Sequence, residues 1–162
     1  ITKDTNDHAL MGHYGNVLLV NGQEDYSLSV KAGEVVQLDV INAANARPFN
    51  FAIAGARLKV VGSDSGAYEK AFYADSVTLG PSERVIVDVL FDKPGAYAIE
   101  NKTPGKTYTL GAVSVGADMV SPSYASQFNV LQKNESTSAS IDTFRPYFDG
   151  APDKKLLLTL GI

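Results

Sequence analysis

Apolar and polar residues alternate with a period of two through most of the first 116 positions, which predicts a series of short β-strands. Residues 84–91 show it best. Val85, Val87, Val89 and Phe91 form one face, and Arg84, Ile86, Asp88 and Leu90 the other. The all-apolar face must lie against a core. The mixed face, with Ile86 and Leu90 among charges, predicts partial cover by another part of the chain. Tyr26, Leu28 and Val30 alternate with Ser27 and Ser29; Val36, Leu38 and Val40 alternate with Gln37 and Asp39; Phe49, Phe51 and Ile53 repeat the pattern. Further strands are expected at 17–20, 58–61, 75–79, 96–100 and 107–115, the last two as a hairpin across Thr103-Pro104-Gly105-Lys106. Asn21-Gly22 closes the first run as a turn dipeptide that tolerates positive φ. Residues 62–74, with Gly62 and Gly66 free to take positive φ, read as a loop.

The pattern changes from Gly116. Residues 120–152 are rich in Ser, Asn, Gln and Thr with scattered aromatics, and show neither strand alternation nor an apolar helical face. This stretch is expected to be a linker that wraps a surface, pinned by Phe128, Phe144, Tyr147 and Phe148. Leu156-Leu157-Leu158-Thr159-Leu160 is a strong strand signal. The expected division is a lead-in at 1–12, a sandwich domain at 13–116, the linker at 117–153 and a terminal strand at 154–162. That strand either packs on this sandwich or opens a following domain. Eight or nine short strands between Gly/Pro turns, with no internal repeat, make an all-β Greek-key sandwich or barrel.

Composition narrows the chemistry. The 162 residues suit one domain plus a tail, and 44% hydrophobic with 20% charged residues is ordinary for a globular chain. A net charge of −4 without a basic cluster argues against nucleic acid as a partner. No apolar run approaches the ~20 residues of a membrane span. There is no cysteine, which removes thiolate nucleophiles, zinc–thiolate sites and the thiolate of a blue-copper centre. His8 and His13 are the only imidazoles, too few for a three- or four-ligand metal site, and are expected to be linker residues. No G-x-S-x-G elbow is present for a serine nucleophile. Gly62-Ser63-Asp64-Ser65-Gly66 lacks the lysine and helix of a phosphate loop. Asp64, Asp75, Glu83 and Asp88 lie on different strands and turns, and are expected to form surface ion pairs. Arg84 is expected to clamp a carboxylate such as Asp64. Asn101-Lys102-Thr103 and Asn134-Glu135-Ser136 fit the N-glycosylation pattern. Ile1 in place of Met is what a processed or excised chain would show.

Several segments, in order, resemble the second cupredoxin-like domain of three-domain, laccase-like multicopper oxidases. They are Gly15-Asn16-Val17-Leu18-Leu19-Val20-Asn21-Gly22, Val30-Lys31-Ala32-Gly33-Glu34, and Leu38-Asp39-Val40-Ile41-Asn42-Ala43 followed by Arg47. Phe49 to Ile53, Val60-Val61-Gly62-Ser63-Asp64-Ser65-Gly66, and Asp75 to Val85 with Gly80-Pro81-Ser82-Glu83-Arg84 continue the likeness. Ser65 and Ser82 stand where the family often has Gly. Asp153 to Leu160 resembles the opening strand of a third domain. The motif residues are Asn21, Gly22, Asn42, Arg47, Asp64, Gly66, Glu83 and Arg84, all with structural roles.

The resemblance implies a cupredoxin-type sandwich that binds no copper. In the family, His-x-His pairs and a Cys/His/Met set in the first and third domains hold the metal. The middle domain keeps those two in register and in several members lines a substrate cleft. The parent would oxidise a reduced substrate and reduce O2 to water, in the periplasm or outside the cell. No activity is expected of this chain alone; its partners would be the flanking copper-binding domains, and an isolated copy would self-associate. Two rivals remain at this level. One is a free-standing module binding a ligand or protein through Tyr68, Phe72 and Tyr73; the other is a small metalloprotein using His8 and His13.

Overall fold

A computed structural model describes residues 14–159. Nine strands among these residues form two sheets facing each other across one core. The first sheet has the order β1 (Tyr26–Ala32), β9 (Thr107–Met119), β8 (Gly95–Lys102), β3 (Phe49–Ile53), β6 (Val77–Leu79). The second has the order β2 (Glu34–Ile41), β7 (Arg84–Phe91), β4 (Leu58–Ser63), β5 (Gly66–Ala74). All neighbours are antiparallel except β1 and β9. This is the all-β sandwich that the alternation predicts, of the cupredoxin-like kind that the resemblance implies.

The register explains the layering. Val36 lies opposite Val89, Leu38 opposite Val87 and Val40 opposite Val85; Leu58 and Val60 oppose Val89 and Val87 from the other side. Because side chains directly across a ladder share a face, these residues form one apolar surface of the second sheet. It packs on Val30, Phe51, Ile53, Ile99, Leu110 and Val113 of the first sheet. Val85, Val87, Val89 and Phe91 are all buried.

β1 and β9 approach so closely that a Cβ on Gly111 would collide with the Tyr26 carbonyl, and Gly111 has φ +154°. Only glycine meets both conditions. Asn21 (φ 50°) and Gly22 (φ 79°) make the expected two-residue turn, closed by reciprocal Val20–Gln23 backbone bonds of 2.9 and 3.0 Å.

Five expectations need correction. Residues 62–74 are not a loop: β4 continues to Ser63 and β5 runs from Gly66 to Ala74. As an edge strand, β5 carries little of the apolar face, so its alternation is weak. Of residues 17–20, only Val20 makes a β-bridge, with Gln23. The stretch after Gly116 contains a single helical turn, α1 (Ala125–Phe128), a two-turn helix, α2 (Glu135–Asp142), and a 3-10 turn at Arg145–Tyr147. Asn134 caps α2, its side chain accepting from Thr137 N (3.2 Å). Of its expected pins, Phe128 is buried, whereas Phe144, Tyr147 and Phe148 are 59–81% exposed. Leu156, Leu157 and Leu158 form no strand and are 82–93% exposed, so they do not pack on this sandwich.

Candidate functional site

Two polar constellations stand out: a hub at one end of the sandwich, and a row across the outer face of the second sheet. The hub centres on Asn42, just past β2 and buried. Its Nδ2 donates to the carbonyls of Arg47 (2.8 Å) and Leu79 (3.0 Å), and its Oδ1 accepts from Ala44 N (2.9 Å). Its backbone N–H donates to Glu83 O (3.0 Å), and its carbonyl accepts from Ser82 N (2.8 Å). The Glu83 carboxylate turns back to accept from Gly80 N (2.5 Å). Arg84 is met by Asp64 in two ways. One carboxylate oxygen accepts from Arg84 N (3.1 Å), and the other lies 3.9 Å from Nε. Both side chains are about half exposed, so the ion pair is worth at most ~1 kcal/mol. Arg47 leaves the hub, donating to Tyr14 O (3.2 Å) and Gly15 O (3.0 Å) with its guanidinium 5.5 Å from the Tyr14 ring centroid. It ties Tyr14 and Gly15 to the sandwich.

Asn42, Arg47, Asp64, Glu83 and Arg84 thus belong to one end, linked through backbone carbonyls and amides. Gly66 (φ 99°) sits beside them at the start of β5, paired with Ser63. Asn21 and Gly22 belong to a separate turn. Apart from the Arg84–Asp64 ion pair, the polar groups named in the hub are spent on the chain's own backbone. That is architecture rather than chemistry.

The second constellation carries no motif. Register aligns Gln37 of β2, Asp88 of β7, Lys59 of β4 and Tyr73 of β5 in one line across the sheet, on the face away from the core. Residues 124–134 lie over this row. Gln37 Nε2 donates to Asp88 Oδ1 (2.9 Å). Lys59, itself buried, donates to Gln127 O (2.9 Å), and the Tyr73 hydroxyl donates to Phe128 O (2.7 Å). Phe128 packs at 5.7 Å on the Tyr73 ring, and the Arg57 guanidinium lies 4.2 Å from that ring's centroid. Farther along, Asn134 N donates to Glu69 O (2.7 Å), and Ala71 N to Gln132 O (3.4 Å), which extends the sheet at the β5 edge. Arg145 then bonds to Asp142 and to the Glu69 carboxylate. The Asp142 hydrogen bond first, and the Glu69 charge second, hold its pKa above the ordinary value. A cleft of about 260 Å³ remains between the row and the covering segment, lined by Val35, Gln37, Asp88, Tyr124 and Gln127 among others.

The mixed face of β7 is therefore partly covered, as its sequence demands, but the covering residues could not be named from pattern. The remaining candidates are not brought together. Tyr68 and Phe72 pair at 5.8 Å on the β5 edge, while Tyr73 turns to Phe128, so the three do not make one aromatic platform. Asp88 is bonded to Gln37 in the row, apart from the hub's Asp64 and Glu83. Asn101 is fully buried, with its Oδ1 accepting from Asn50 N (2.9 Å), which removes the first glycosylation motif from the folded surface. His8 and His13 lie outside the described residues. Among the described residues, no three His, Cys, Asp or Glu side chains could together hold a metal ion, and no helix is long and apolar enough to cross a membrane.

Comparison with known proteins places this geometry. The family model described as multicopper oxidase matches residues 2–118. Laccase-18 of Oryza sativa subsp. japonica is 38% identical over 86 residues, which are 51% of this chain and 14% of that protein. A bacterial laccase-like multicopper oxidase from Ochrobactrum sp., with oxidase activity towards lignin model compounds, superposes with a TM-score of 0.65. It is 27% identical, and the match covers 75% of this chain and 29% of that one. A metallo-oxidase from Campylobacter jejuni gives 0.63 at 27% identity, covering 81% and 28%. The chain thus spans well under a third of each of these relatives.

Proposed function

Since the chain belongs to the multicopper oxidase family, we propose that it is the middle, copper-free domain of a laccase-like enzyme. In this reading residues 13–116 are the scaffold. The lead-in at 1–12 and the linker at 117–153 join it to flanking copper-bearing domains of the same polypeptide, and 154–162 open the following one. The parent enzyme would pass electrons from a reduced substrate to O2, giving water. The scaffold's part is to hold its neighbours in register.

One observation carries this reading: the chain is too poor in donors. Copper in a blue site takes a thiolate and imidazoles, yet the sequence holds no cysteine and two histidines. The described residues therefore do not fit copper. What they offer is a rigid end, the Asn42 hub, from which Arg47 grips Tyr14 and Gly15, and apolar residues at 156–158 with no partner on this sandwich. The motif residues from Asn21 to Arg84 act through backbone geometry.

The test is a copper titration of the 162-residue chain with metal analysis after desalting, alongside the reading frame on either side. Less than ~0.1 copper per chain, and a frame running into His-x-His segments upstream and a Cys-containing copper motif downstream, are expected. One copper retained per chain, or a start and a stop bounding the domain, would overturn the assignment.

A further inference from the structure

We propose that residues 124–134 are a strap that opens and closes over the Gln37–Asp88–Lys59–Tyr73 row as a cooperative unit, without unfolding of the sandwich. The inference is independent of the domain's place in a larger enzyme. Its first support is how few anchors hold the strap. Phe128 is its one buried apolar side chain, while Tyr124 and Val130 are more than half exposed. The remaining ties are the tips of Lys59 and Tyr73, on the carbonyls of Gln127 and Phe128, a long hydrogen bond from Arg57 to Asn129 Oδ1 (3.5 Å), and two backbone bonds to β5 at Glu69 and Ala71. The second support is the cleft of about 260 Å³ beneath it, where a packed core would have none.

The third is what opening exposes. β2, β7, β4 and β5 are fully laddered without the strap, and their apolar face points the other way, into the core. The face left bare is a line of amide, carboxylate, ammonium and phenol groups that water satisfies, with Val35 and Leu90 beside it on the same face. Lifting the strap costs one phenyl ring and a few hydrogen bonds, far less than global unfolding, and this places it at the low-stability end of the molecule. Because the strap precedes α2 and everything after it, its closed position sets the direction in which the chain leaves the sandwich.

The experiment is native-state hydrogen exchange by NMR on the 162-residue chain. The reporters are the two amides that bridge strap and sheet: Asn134 in the strap, whose partner is Glu69 O, and Ala71 in β5, whose partner is Gln132 O. They should exchange at least ~100-fold faster than the amides of Leu58, Val87 and Val89. Phe128→Ala should accelerate the reporters by a further ~100-fold or more, leaving β4 and β7 amides unchanged. Tyr73→Phe, which removes one hydroxyl and no volume, should accelerate them ~3- to 10-fold. Ala71 is the discriminating amide: it belongs to a strand but should follow the strap. Exchange of strap and core amides at one common rate in the wild type, or equal acceleration of both in Tyr73→Phe, would overturn the proposal.

Discussion

Replacing Asn42 with alanine should destabilise the domain more than any other single polar truncation in the hub. The side chain makes three hydrogen bonds, to Arg47 O, Leu79 O and Ala44 N, at 2.8 to 3.0 Å. The Leu79 bond is buried, so its carbonyl would lose its side-chain partner with no ready access to water. An orphaned buried group costs ~1–3 kcal/mol. The other two bonds are partly buried, and water recovers part of their loss, leaving ~0.5–1 kcal/mol each. The sum is ~2–5 kcal/mol, against a total stability of ~5–15 kcal/mol for a domain. Urea unfolding should show a lower midpoint at unchanged slope, and Tm should fall by ~4–20 °C for a chain of this size. Asn42→Asp keeps the shape and the acceptor for Ala44, but sets a carboxylate against two carbonyls, so it should be at least as damaging. A loss below ~1 kcal/mol for Asn42→Ala, or wild-type stability for Asn42→Asp, would refute the view that this side chain fastens the end of the sandwich.

Gly111→Ala should cost ~3 kcal/mol or more, or prevent folding, because its Cβ meets the Tyr26 carbonyl; near-wild-type unfolding would show that β1 and β9 can separate freely. A double-mutant cycle of Arg84→Ala and Asp64→Ala should give a coupling of at most ~1 kcal/mol, with Asp64→Ala the more harmful because it also frees the Arg84 amide. Passed through a secretory host that attaches N-glycans, the folded product should carry sugar at Asn134, which is half-buried, and not at fully buried Asn101; a folded product glycosylated at Asn101 would contradict the burial. The exposed Leu156–Leu158 run should make the chain associate on concentration, and Leu157→Ser with Leu158→Ser should reduce light scattering at equal concentration.

Strands β2 and β7 were legible in the sequence because their two faces meet different surroundings: Val36, Leu38 and Val40 meet a core, while Gln37 and Asp39 do not. β5 was not, since an edge strand that leaves Tyr68 and Phe72 partly exposed and sets Tyr73 under a strap has no face of one kind. Helix α2 hid for a related reason. Glu-Ser-Thr-Ser-Ala-Ser-Ile-Asp has no apolar stripe, and what starts it is the side chain of Asn134, a residue noticed only as a glycosylation motif. At the hub, turn chemistry and family likeness drew attention to Asn42, Glu83 and Arg84 before any distance was known. The strap contacts had no such signal. Lys59 meets Gln127, and Tyr73 meets Phe128, through backbone carbonyls 68 and 55 residues away, and an acceptor common to all residues leaves no mark in the sequence.

The parallel pairing of β1 with β9 has a consequence for synthesis. Tyr26 finds its partner Gly111 only after roughly 85 further residues have been made. At ~5–20 residues per second, β1 waits about 4–17 s with its edge unpaired. Over that interval β2 to β8 can assemble around β7, but the first sheet lacks its outer pair. Any segment synthesised ahead of Tyr26 must therefore remain soluble beside an unfinished sandwich, and the domain closes in one late step when β9 arrives between β8 and β1.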